Sequence, residues 1–381
     1  MNEAMMDAVR PRFEVRRATR ASRIASLVLI ALAVVVASMP FWAGRDALRD
    51  FIEIASYFVF AMMWNLLAGY GGMVSIGQQA YFGLGGYLML ALANFAGLSP
   101  FVCVPIAAVL TAIIAVPVSR IAFRLSGGYF AVGTWVIAEV FRLGIANISA
   151  LGGGSGTSLT GLGDIARSTR ESITLWLALA IVVLATALVY RFLRSKAGLA
   201  LTAIRDDAVA ASSQGVHVAG TRLVVYLCAA AGAGLAGALY FVGNLRISPD
   251  AAFSVNWTAF AIFIVMIGGL GTLEGPIVGT LLFYVLNKFL SDYGTLYLIG
   301  LGLLAIVVTL FFPQGLWGYV SRRFGLQFFP VGRRLVMLEP GAPNDASAQV
   351  PLQPALQPIS QPTSPPTSQS PSQSSPLPRT R

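Results

Sequence analysis

The chain has 381 residues, 56% hydrophobic and 11% charged, with a formal net charge of +10. About a quarter of the residues in a soluble domain carry charge, so this composition argues against a soluble fold, and the continuous apolar runs argue against an alternating membrane β-barrel. The positive charge does not read as a nucleic-acid surface, because the basic residues flank the ends of apolar runs.

The first 23 residues form a basic segment with six arginines, Arg10, Arg12, Arg16, Arg17, Arg20 and Arg23, ahead of an apolar run at 24–43. That run is too long for the hydrophobic region of a cleaved signal. Its small-residue triplet, Ala31-Leu32-Ala33, also sits in mid-run, so it is read as a retained span. Nine more apolar segments follow, at 52–70, 75–94, 100–123, 129–149, 172–193, 221–244, 256–272, 275–291 and 295–312. A crossing takes about 20 residues over roughly 30 Å of hydrocarbon. The expected fold is therefore all-α and polytopic, with about ten transmembrane helices filling 24–320 and contacting membrane lipid. The eighth and ninth segments are short and joined through the glycine-rich stretch 268–276.

An N-terminus in the cytoplasm, followed by strict alternation, places 17 basic residues inside. They are the six N-terminal arginines, Arg120, Arg124, five between Arg191 and Arg222, and Arg322, Arg323, Arg333 and Arg334. Six fall outside: Arg45, Arg49, Arg167, Arg170, Arg246 and Lys288. This bias predicts that both termini are cytoplasmic. Pro313 stops the last span, and Trp317 and Tyr319 suit the membrane interface. Residues 321–381 are rich in Pro, Ser and Gln. From Pro340 onward 11 of 42 residues are proline, which predicts a disordered cytoplasmic tail.

The stretch from Trp64 to Tyr87 packs seven glycines and three amide side chains around the junction of two spans. Glycine this dense interrupts helices, and broken backbone at membrane depth is tolerated only where protein buries it or a watery cavity lines it. Asn65, Gly69, Gly71, Gly72, Ser75, Gly77, Gln78 and Gln79 are thus candidates for a solute pathway; close helix packing through small residues is the competing reading. The run 229–238 reads as packing. Glu139 and Arg142, three apart near the middle of the fifth span, share a helix face. They are either a contact for a zwitterionic solute or a mutually satisfied ion pair. The loop 150–164 is glycine-rich but has no lysine, so it is not a phosphate-binding Walker loop, and it falls outside. His217 is the sole histidine. Cys103 and Cys228 lie far apart in apolar runs, and no nucleophile, base or metal cluster is apparent. The chain does not read as an enzyme.

The polar interruption at 194–221 is about 27 residues long, whereas a connector between antiparallel helices needs about two to eight. Within it, 201–214 reads as one short helix ended by Gly215. Ala208, Ala211 and Gly215 recur at spacings of three and four, leaving a face that a soluble partner could approach closely.

Together these residues resemble a known family. The stretch from Asn65 to Tyr87 resembles the N-terminal motif of permease subunits of high-affinity branched-chain amino acid ABC transporters, of the LivM type. Further family patterns are resembled, in the same order, by Leu125-Ser126-Gly127-Gly128-Tyr129-Phe130-Ala131, Gly152 to Gly163, Gly268 to Gly279, and Pro313-Gln314-Gly315-Leu316. The resemblance covers about 50–320. It implies a multi-pass protein of a bacterial inner membrane that pairs with a homologous second permease, two cytoplasmic ABC ATPase subunits and a periplasmic substrate-binding protein. ATP would be used by those partners, with no cofactor bound by this chain and no nucleic acid involved. It also implies that Arg205, Asp206, Asp207, Ala208, Ala210, Ala211 and Gly215 belong to a coupling helix seated in an ATPase cleft. Two positions depart from the family pattern. Gln78 stands where the family often has histidine, and Ala208 where it often has an acidic residue. Related members carry urea, short amides or aromatic acids, and those solutes stay open beside branched-chain amino acids. An ion-coupled secondary transporter is the alternative of another class. It should show more intramembrane carboxylates or histidines than the single Glu139 near a span centre.

Overall fold

The computed structural model describes residues 12–16, 20–160, 165–290, 293–312, 314–324, 328–329 and 334–338. Each expected apolar segment forms a helix: α1 (Arg20–Trp42), α2 (Arg45–Asn65), α3 (Gln79–Ala96), α4 (Pro100–Ala122), α5 (Gly128–Ala146) and α6 (Arg167–Leu193). Two short helices, α7 (Lys196–Asp206) and α8 (Ala208–Ser213), precede the long α9 (Val218–Asn244). A four-residue α10 (Pro249–Ala252), then α11 (Val255–Gly268), α12 (Gly275–Leu290), α13 (Thr295–Phe311) and α14 (Gly315–Phe324) complete the helices. The protein is an all-α, multi-pass membrane protein.

Among the described residues, eight helical stretches are long and apolar enough to cross a membrane. α3 and α12 fall short of that standard for different reasons. α3 carries Gln79 and three glycines, and its residues from Gln79 to Tyr87 are all buried by protein, so they need not be lipophilic. α12 has 16 residues, about 24 Å at the usual helical rise, against roughly 30 Å of hydrocarbon.

Contacts between the helix ends fall into two groups. At one end, Asn65, Gly69, Arg205, Gly271 and Thr272 meet, and Gly269 lies against Gly315. At the other, β2 (Thr157–Ser158) pairs antiparallel with β3 (Arg246–Ile247). β1 (Arg12–Arg16) and β4 (Arg334–Leu338) form a separate two-stranded sheet. Beside the β2–β3 pair, Asn94 donates to the Ser158 carbonyl and accepts from the Thr160 amide, each at 3.0 Å. Lys288 pairs with Asp50, and Arg45 with Glu171.

The core forms around α3 and α9, which small residues bring into backbone contact. A Cβ on Gly85 would lie 2.0 Å from the Gly234 carbonyl oxygen, and one on Gly237 would lie 1.9 Å from that of Phe82. Packing of this kind drives association where lipid removes the hydrophobic incentive. Around it, Phe82 stacks on Trp257 at 4.1 Å between ring centroids, and the Tyr81 and Tyr226 hydroxyls share a hydrogen bond of 2.7 Å. Two elements, the end of α14 and β4, fall within the 321–381 stretch that composition reads as disordered. The proline-rich residues from Pro340 onward lie outside the described residues.

Candidate functional site

The second apolar segment does not end as a plain helix. After Asn65 the backbone widens into a π turn, Leu66–Tyr70, a local form that recurs at functional positions. The amides of Gly72 and Met73 fold back on the carbonyls of Ala68 and Leu67. Gly72 adopts φ +67°, which a side chain would disfavour. The chain then climbs irregularly beside the helix it has just left, held by the Trp64 indole donating to the Ser75 carbonyl at 2.8 Å. α3 starts inside the protein, where the Gln79 amide donates to the Thr258 hydroxyl at 3.2 Å and that hydroxyl donates to the Gln79 side-chain oxygen. The Ala80 and Tyr81 amides bond back to the Gly77 and Gln78 carbonyls. The positive end of this helix is therefore closed rather than left open to an anion.

The polar side chains predicted here divide sharply. Asn65 uses both ends of its amide to clamp the α11–α12 loop, donating to the Thr272 carbonyl at 2.8 Å and accepting from the Gly271 amide at 2.9 Å. Ser75 accepts from the Gly77 amide, and Gln79 is bonded to Thr258. Gln78 is different. It is 1% exposed, and neither its Nε2 nor its Oε1 has a hydrogen-bond partner. A buried amide offers two donors and an acceptor, and each unmet group costs about 1–3 kcal/mol.

The glycines mark close approaches. A Cβ at Gly77 would sit 1.8 Å from the Thr134 carbonyl oxygen of α5, one at Gly69 would sit 2.7 Å from the Gly271 amide nitrogen, and one at Gly71 would sit 2.7 Å from the Leu67 oxygen. These positions bring backbones together. Gln78 is thus the member of the predicted set that presents unused polar groups.

Glu139 and Arg142 do form an ion pair, with Nε donating to Oε1 at 2.9 Å. The pair lies just past the middle of α5. Arg142 also reaches Asp250 of α10, a partner 108 residues away that pairwise spacing cannot reveal. The side chains are 46%, 28% and 77% exposed for Glu139, Arg142 and Asp250. The triad ties α5 to the short helix between α9 and α11, close to the β2–β3 pair.

The segment expected as one helix over 201–214 is two. The break is at Asp207, whose backbone turns extended (φ −156°, ψ 110°) and whose carboxylate accepts from the amides of Val209 and Ala210 at 2.8 and 3.0 Å. Aspartate competes for its own backbone in this way and is among the best N-caps. At the far end Gly215, at φ +81°, donates to the Ser212 carbonyl, and Val216 donates to that of Ala211. This double closure is the Schellman arrangement that glycine favours. Ala211 is buried against the protein and Ala208 half-buried, whereas Gly215 is exposed with nothing within 4 Å of where its Cβ would be, so only the alanines of the small-residue row turn inward. The open face of α8 carries Val209, 76% exposed, with Ala210, Ser212 and Ser213. Arg205, in the last turn of α7, donates from Nη1 to the carbonyl of Gly69 at 3.0 Å and from Nε to Asp206. Nearby, Phe192, Ala197, His217, Gly220, Thr221 and Val224 line a shallow cavity of about 240 Å³. His217 caps α9, its Nδ1 accepting from the Gly220 amide at 3.1 Å.

A family profile described as the branched-chain amino acid transport system / permease component matches residues 49–312. The chain belongs to that family. The matched range runs from α2 to α13 and includes the broken span and the α7–α8 pair. This permease is 29% identical over 317 residues to the high-affinity branched-chain amino acid transport system permease protein LivM of Salmonella typhimurium, covering 76% of this chain and 74% of that protein. The Escherichia coli protein of the same name is 28% identical, with the same coverage. A probable branched-chain amino acid transport permease protein LivM of Methanocaldococcus jannaschii is 25% identical, over 68% of this chain and 90% of that one. No solved structure matches the permease significantly.

Proposed function

We propose that this permease is the membrane-spanning subunit of an ATP-binding cassette importer in a bacterial inner membrane. It takes branched-chain or related amino acids from a periplasmic binding protein and works beside a homologous second permease. ATP is bound and hydrolysed by two cytoplasmic ATPase subunits, and this chain performs no catalysis and holds no cofactor. Ten crossings place both termini and the α7–α8 pair in the cytoplasm. The observation that carries this reading is the family match across 49–312. The geometry supports it through the exposed, doubly capped α8, which has the form of a docking element, and through Gln78, whose free amide has the form of a solute contact. An uncharged amide there also favours a second reading, import of urea or a short amide, since it donates and accepts without adding charge.

The test is reconstitution of the four kinds of subunit in proteoliposomes with ATP supplied on the ATPase side. Uptake of labelled leucine, isoleucine and valine is compared with urea, acetamide and phenylalanine. Uptake should require ATP and every subunit. Transport by this chain alone, driven by a proton or sodium gradient, would replace the importer reading with secondary transport.

A further inference from the structure

The α7–α8 pair and the broken span are joined by one side chain. Arg205 stands on the last turn of α7, two residues before the break at Asp207, and its Nη1 donates to the Gly69 carbonyl of the π turn at 3.0 Å. Two glycines bring α7 close beside this contact. A Cβ at Gly72 would lie 3.1 Å from the Arg205 Cγ, and one at Gly71 would lie 3.3 Å from Leu201 Cδ1 of α7. Gly69 in turn abuts Gly271, whose amide bonds to Asn65. A charge-assisted bond resists pulling, and the glycine–arginine contact resists pushing, so movement of α7 in either direction reaches the π turn. That turn is a π-helical segment, a form that recurs at functional positions. Eight residues beyond its end at Tyr70, the same backbone carries Gln78.

We propose that Arg205 is a positioning residue that transmits ATPase-driven movement of the α7–α8 pair to the π turn Leu66–Tyr70, and through it to the segment bearing Gln78. This rests on the importer reading above. Arg205 acts by holding the Gly69 carbonyl, while docking itself is left to the exposed face of α8 around Val209.

The test uses the complete reconstituted complex with Arg205→Gln, Arg205→Lys and, separately, Val209→Asp. ATPase subunit recovered with the permease, solute uptake and ATP hydrolysed per solute imported are measured for each. Arg205→Gln is expected to retain the ATPase subunits and to raise ATP used per solute about ten-fold, within the range typical of coupling between distant sites. Arg205→Lys keeps the charge but loses the planar fork, so its ratio should fall between the two. Val209→Asp should lose ATPase subunit and uptake together. A normal ratio in Arg205→Gln overturns the proposal, and so does loss of ATPase subunit in step with uptake, because Arg205 would then be a docking contact. If Arg205→Gln does not assemble, Arg205→Lys decides by the same ratio. Normal ATPase recovery and uptake in Val209→Asp would instead remove the docking reading of α8, which separates that failure from failure of the Arg205 link.

Discussion

Replacing Gln78 with leucine tests whether its buried amide serves transport or the fold. The residue is 1% exposed and both ends of its amide lack partners. At about 1–3 kcal/mol for each unmet group, the pair costs the resting protein about 2–6 kcal/mol before its surroundings relax. Leucine has nearly the same volume, and swaps that conserve volume are the best tolerated in packed interiors. Part of the cost is also present before assembly, because a polar group in membrane finds other partners. We therefore expect Gln78→Leu to stabilise the permease by about 2 kcal/mol, the lower end of that range. Thermal unfolding of the purified complex should move to higher temperature while uptake falls about ten-fold, equivalent to about 1.4 kcal/mol of lost interaction. The two readouts move in opposite directions only if the amide is held unpaired for a solute. A lower unfolding temperature would refute the reasoning, since it would mean that the amide is bonded within the fold. Unchanged uptake would remove Gln78 from the pathway.

Gly85→Ala and Gly77→Ala place a methyl group within about 2 Å of backbone oxygens on α9 and α5. Each should lower folded yield and stability by about 1–3 kcal/mol or more, measured by fluorescence-detected chromatography after heating, whereas Gly300→Ala, with no neighbour within 4 Å, should be neutral. His217→Ala removes the α9 cap and should cost about 1 kcal/mol; His217→Asn restores an acceptor and should recover most of it in the same assay. Reporter fusions after Ser213 and after Ser155 should report cytoplasm and periplasm respectively, and reversal at either site would sink the ten-crossing path.

Most of the architecture was legible because a bilayer imposes a coarse rule that a sequence must obey locally. Each apolar run had to become a helix, and each did. The exceptions arose where protein replaces lipid. α3 is buried by its neighbours, so Gln79 and its glycines could enter it without cost to insertion, and hydropathy alone underrates it. The 201–214 helix failed for a different reason. Asp207 has a free carboxylate two and three residues before the Val209 and Ala210 amides, and a side-chain cap outcompeted helix continuation. An aspartate followed by Ala-Val-Ala was the available signal, but the same composition also supports an unbroken helix.

The glycines show where local reading stops. Their density between Gly69 and Gly77 announces an interrupted helix. Yet whether such a glycine admits a solute or another backbone depends on distant residues, such as Thr134 beside Gly77, 57 positions away, and Gly271 beside Gly69, 202 positions away. The distant partners were equally hidden: Thr258 reads as one hydroxyl in an apolar run, and Asp250 as a loop carboxylate, until the fold brings them to Gln79 and Arg142. What the tertiary structure adds is a process of elimination. Thr258 holds Gln79, Thr272 and Gly271 hold Asn65, and Gly77 holds Ser75, whereas Gln78 is left with both ends of its side-chain amide buried and unpartnered. A segment that needs packing alone would put an apolar residue of that size there. The unpaired amide therefore argues that the segment is kept for something that arrives from outside the fold.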